Sequence, residues 1–147
     1  MPNLTVATII MKDRANVLLV KAEGGPDSNL WALPDTLVAD NETVRAASLR
    51  VGHNLGLPIE PKLTLFICER VVPEDHRLGV FVLAELTTTP GEEPEINPPR
   101  GTARWVDVRK LGELQKTEGM SEFTIDAFVK FSNFLRSQAT PKIGTVN

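Results

Sequence analysis

One cysteine, two histidines and no tyrosine remove several common chemistries from this chain. A lone thiol, Cys68, cannot form an internal disulfide, and a cysteine-based metal site would lack ligands. Cys68 stands in the apolar run LTLFICE and is read as a small buried hydrophobe. His53 as a zinc or nickel ligand needs partners, and the only other histidine, His76, is expected in an exposed hairpin turn. Positive charge is not in excess: the net charge is −3, so no broad basic face for nucleic acid is implied. Long apolar runs are missing too. The opening MPNLTVATIIMKDR lacks a basic leader, so a soluble, cytoplasmic protein without membrane partners is expected.

What remains is an ordinary globular composition over 147 residues, enough for one domain with a real core. A single domain over 1–138 and a loose tail over 139–147 are expected. LTVATIIM (4–11) and NVLLVKAE (16–23) are β-branched runs joined by the polar KDRA, the mark of two strands and a turn. Residues 23–41 are punctuated by Gly, Pro, Asp, Asn and Ser and read mostly as loop. KLTLFICERVV (62–72) and RLGVFVLAELT (77–87) read as a strand pair around PEDH, and ARWVDV (103–108) as a late strand. RKLGELQ suggests a short helix. Ser121 is placed to cap a terminal helix whose Phe123, Ala127, Phe131 and Leu135 share one stripe, joined by Phe128 and Phe134. Strands around a helix, closed by a C-terminal helix, give an α+β layered domain.

The helix in the middle, NETVRAASLRVGHNLGL (41–57), carries the functional question. Thr43 can cap it, Glu42 adds negative charge at its positive end, and Gly56 can end it in the left-handed conformation. Val44, Ala47, Val51 and Leu55 form an apolar stripe, with Arg45, Arg50, His53 and Asn54 on the other face. Gly52 in the interior should cost about 1 kcal/mol against alanine.

In this order the parts resemble the Nudix hydrolase family of MutT-like proteins. VATIIMKDRANVLLVKAE is similar to its first two strands, LWALP to the approach to its signature box, and ARWVDVRKL to its late strand and short helix. The resemblance runs over roughly residues 4 to 135. It implies an α/β/α sandwich with a mixed sheet between helices. It also implies hydrolysis of nucleoside diphosphates linked to another group, with Mg²⁺ or Mn²⁺ as cofactor. The family box reads G-x5-E-x7-R-E-U-x-E-E-x-G-U, U being aliphatic. Here its glycine falls on Thr36, its first glutamate on Glu42 and its arginine on Arg50, a pair the resemblance assigns to an internal salt bridge. One residue is then missing before Gly56-Leu57, and the metal-binding segment has become VGHNL. No Asp or Glu occurs between Thr43 and Pro58. A hard cation prefers carboxylate oxygens and substrate phosphates, and His53 with Asn54 cannot supply that charge.

Three functions follow. The first is a binder of a nucleoside-diphosphate-type ligand with weak or absent hydrolysis; Lys21, Trp31, His53 and Asn54 are its candidate contacts. The second is an active pyrophosphohydrolase that recruits Glu60, Glu92, Glu93 or Glu95 in place of the missing glutamates, and only then needs Mg²⁺ or Mn²⁺. The third is a scaffold that binds RNA or protein. Each candidate also has a plainer role: Trp31 and Trp105 as packing residues, Lys21 and the 92–95 glutamates as solvated charges. The resemblance makes a homodimer plausible.

Overall fold

The computed structural model describes residues 3–21, 29–72, 75–88, 96 and 103–139. Among them, seven strands form one mixed sheet. Strand β1 (Asn3–Lys12) lies at its centre, parallel to β6 (Asp75–Leu86) from Asn3↔Arg77 to Met11↔Glu85. The other side of β1 is shared. Its end pairs antiparallel with β2 (Asn16–Lys21), and its beginning with β4 (Asp35–Leu37). The two-residue β3 (Trp31–Ala32) joins β2, which also pairs with β7 (Ala103–Asp107). Strand β5 (Ile59–Val72) closes the opposite edge against β6, with register shifts between Pro61 and Leu63 and between Thr64 and Phe66.

Six consecutive residues of β1, Thr5–Ile10, are buried. Such a run without alternation means that both faces of the strand are covered. On one face Val6 and Ile10 pack with Ala47, Val51 and Leu55 of helix α1 (Val44–Asn54). On the other, Ala7 and Ile9 pack with Leu114 of α2 (Leu111–Thr117) and with Ala127 and Phe131 of α3 (Glu122–Ala139). The result is the expected α/β/α sandwich. Phe81 is fully buried in the α3-side layer, its ring centroid 5.0 Å from those of both Phe66 and Phe123. Ser121 caps α3 by accepting from the Thr124 N–H at 3.3 Å. No helix among the described residues is long and apolar enough to cross a membrane.

Some expectations shift. Residues 23–41 include two short strands, β3 and β4, too brief to leave a hydropathy pattern. The β5–β6 ladder continues to Val72↔Asp75, so His76 is a strand residue opposite Val71 and not a turn residue. Its Nε2 lies 2.6 Å from Glu69 Oε2, and it is still exposed. Cys68 is only partly buried, with Lys130 Nζ 3.2 Å from its sulfur. A 3-10 turn (Val108–Lys110) precedes α2, and α3 runs to Ala139, one residue into the expected tail.

Candidate functional site

Helix α1 begins where the sequence places it. Thr43 is extended, and its Oγ1 accepts the Ala46 N–H at 3.0 Å. Just before it, Glu42 closes a small loop: its N–H donates to Ala39 O, and its Oε1 accepts the Ala39 N–H at 2.9 Å. Two turns along, Arg50 reaches back to the same carboxylate. Its Nε donates to Oε2 at 3.0 Å and its Nη2 to Oε1 at 2.9 Å, a bidentate pair. The guanidinium also donates to Thr36 Oγ1 at 3.0 Å and to the Leu37 carbonyl at 2.8 Å. Arg50 therefore ties helix, loop and β4 together. The Arg50 hydrogen bonds, then the Ala39 N–H, hold the Glu42 carboxyl at about 2, well below its ordinary 4.5. The same pairing raises Arg50.

The second half of α1 is held by packing. A Cβ on Gly52 would lie 2.6 Å from Ile59 Cγ1 and 3.1 Å from Leu57 O, so only glycine lets the helix approach the start of β5 this closely. Gly56, at φ 72°, then reverses the chain: its N–H donates to His53 O, and the Leu57 N–H donates to Gly52 O at 2.9 Å. This is the Schellman arrangement that ends many helices. Earlier in the helix, Ser48 and Thr8, both fully buried, share a hydrogen bond of 3.1 Å that pins α1 to β1. His53 and Asn54 are left on the exposed face.

This donor set does not fit a divalent cation. Among the described residues, no group of three His, Cys, Asp or Glu side chains could hold one. Glu42, just before the helix, already receives three N–H donors, and metal ligation would have to displace Arg50. His53 and Asn54 offer an imidazole and a carboxamide where a hard cation prefers charged oxygen.

The other candidates scatter. Ile59 faces α1, so Glu60, one step along the strand, points to the opposite face of the sheet. There its carboxylate lies 3.9 Å from Lys62, which also approaches Glu85 at 3.8 Å. Lys21 and Trp31 sit together, also across the sheet from α1, with the Lys21 ammonium 5.1 Å from the ring centroid. Trp31 is only 4% exposed; its Nε1 donates to Glu118, and Arg104 covers the ring at 4.8 Å. Arg104, then the Trp31 N–H, lowers the Glu118 carboxyl from its usual range. The structure thus separates Lys21 and Trp31 from His53 and Asn54. Glu92, Glu93 and Glu95 lie outside the described residues. The Arg50 bonds to Thr36 and to the Leu37 carbonyl had no sequence signal beyond the position of Thr36 in the box.

The family model of the NUDIX domain matches residues 1–127. Solved structures with a similar fold include a MutT NUDIX hydrolase from Burkholderia pseudomallei, with a TM-score of 0.70 and 20% identity over 88% of this chain and 98% of that one. A NUDIX hydrolase from Nitrosomonas europaea superposes with a TM-score of 0.71 and 16% identity, covering 91% and 90% of the two chains. The NUDIX domain of Shewanella oneidensis NrtR, crystallised with ADP ribose, gives 0.70 and 16%, covering 92% and 89%. No functionally curated protein matches the chain significantly. With the family model covering most of its length, this chain belongs to the NUDIX domain family.

Proposed function

We propose that this protein takes a nucleoside-diphosphate-type ligand on the α1 side of its sheet and hydrolyses it weakly or not at all by the metal-dependent route. The observation that carries the proposal is the charge of α1. Between Glu42 and Glu60 the chain has no Asp or Glu, and the Glu42 carboxylate is committed to Arg50. Metal catalysis at a diphosphate neutralises phosphate charge and activates water, and both tasks depend on an anchored cation. Family membership supports a ligand of nucleotide type, as does the ADP ribose held by the NrtR domain. Within this reading His53 and Asn54 are ligand contacts.

Chromatographic detection of the phosphomonoester products, with Mg²⁺ or Mn²⁺ across ADP-ribose and a panel of nucleoside diphosphate derivatives, tests this. Binding by calorimetry without turnover is the expected result. Robust metal-dependent turnover would overturn it, and its loss in Glu93→Gln or Glu60→Gln would then identify the carboxylate that had been recruited.

A further inference from the structure

Across the sheet from α1, a narrow pocket of about 60 Å³ lies between β1, β6 and the first turn of α3. It therefore stands apart from the ligand proposed above. Its apolar walls come from Ala7, Leu33, Phe81 and Phe123. Phe123 is seated there by a glycine: a side chain on Gly79 would collide with its ring, whose centroid lies 5.0 Å from that of Phe81. Walls of this kind exclude bulk water and strengthen any hydrogen bond made inside.

The polar lining is short of acceptors. Thr5 is 4% exposed, and its Oγ1 meets no hydrogen-bond partner among the described residues. Such a hydroxyl costs stability until something bonds it. Thr124, just as enclosed, accepts from the Leu33 N–H at 3.1 Å and from Ser121 Oγ at 2.8 Å. Those two bonds take both lone pairs and leave its own proton to donate. The first helical bond of α3 runs from the Ile125 N–H to the Ser121 carbonyl, and Ser121 Oγ accepts the Thr124 N–H. The Glu122 and Phe123 N–H groups ahead of it have no carbonyl within the helix. Donors thus gather at the positive end of an 18-residue helix. Asp35 and Arg77 also line the pocket, and their opposite charges offset each other.

We propose that this pocket binds a small oxyanion of the carboxylate or phosphate type, with Thr5, Thr124 and the Phe123 N–H as donors. An oxyanion accepts hydrogen bonds from several sides and carries the charge that a helix start favours. Size restricts the choice further. A water molecule takes about 30 Å³ of liquid, so the pocket has room for about two waters or one ion of acetate or phosphate size, and none for a nucleoside. Against water, the ion has the advantage of charge-assisted bonds, roughly twice as strong as neutral ones.

Amide NMR of the full chain follows titration with potassium phosphate and, separately, with sodium acetate, the ionic strength being held constant with chloride. Saturable shifts centred on Thr5, Gly79, Phe123 and Thr124 are expected with at least one ion, and the ion that saturates names the source of the oxyanion. Thermal melts should rise with that ion, as for any ligand of the folded state. Thr5→Val keeps the shape and removes the hydroxyl. It should weaken binding about tenfold, as for one lost hydrogen bond to a charged group, and leave the ion-free protein at least as stable. Thr5→Ser, which keeps the hydroxyl, should bind within about threefold of the unaltered protein, since the donor to the ion is retained. Shifts that grow linearly with both ions, or a saturable affinity that Thr5→Val leaves unchanged, would overturn the proposal and leave the pocket to water.

Discussion

The two halves of α1 are held in opposite ways. The first half is fastened by charge: Glu42, Arg50, Thr36 and Leu37 form a polar clasp around the helix start. The second half is fastened by shape: Gly52 lies against Ile59, Gly56 turns the chain, and His53 and Asn54 face outward with no carboxylate beside them in the helix. Holding a helix in place and equipping it for metal chemistry are separable tasks. This chain performs the first with both halves.

Breaking the packed half should have the largest effect. Gly52→Val drives a branched side chain into Ile59 and the Leu57 carbonyl, and a loss of about 1–3 kcal/mol is expected in chemical denaturation, as for other overpacked sites. Unchanged stability would mean that α1 can move away from β5 at little cost. Next comes the buried link between the helix and β1. Ser48→Ala leaves the Thr8 hydroxyl without its partner and should cost about 1–3 kcal/mol, whereas Ser48→Ala combined with Thr8→Val should recover most of that loss. Equal losses in the single and double variants would show that the hydrogen bond contributes little.

The polar clasp should reveal itself through pH. The Glu42 carboxyl is lowered from 4.5 to about 2 in the folded chain. Its contribution is therefore complete above about pH 4.5 and is lost as pH falls towards 2. Thermal melts of the unaltered protein and of Glu42→Gln should differ most above pH 5 and converge near pH 2. A gap that stays constant across that range would contradict the pairing. The smallest stability effects belong to the outward residues: His53→Ala and Asn54→Ala should each stay within about 0.5 kcal/mol. Any larger change on ADP-ribose affinity would then mark them as ligand contacts.

Much of this contrast is legible in the sequence. Thr43, Gly56 and the Val44–Ala47–Val51–Leu55 stripe define the helix, and Ser121 defines the start of α3, because caps and periodicity act over a few neighbouring residues. Gly52 reads in sequence only as a propensity cost; its reason is contact with Ile59, which lies beyond the helix. The two-residue β3 and three-residue β4 leave no hydropathy pattern because they are shorter than its period can reveal. His76 is misplaced by a charged PEDH that looks like a loop, while the ladder of β5 and β6 carries pairing up to Asp75. For the site, the absence of carboxylates from α1 needs no structure. That Glu60 faces away from α1, and that Lys21 and Trp31 lie across the sheet from His53, follows only from the register of the strands.

The most direct test of the claim that α1 keeps its clasp without a metal site is a Mn²⁺ titration followed by NMR line broadening, with and without ADP-ribose. Weak, diffuse broadening that does not saturate and spares residues 42–54 is the predicted result. Saturable broadening centred on Glu42, Arg50 and His53 would contradict it.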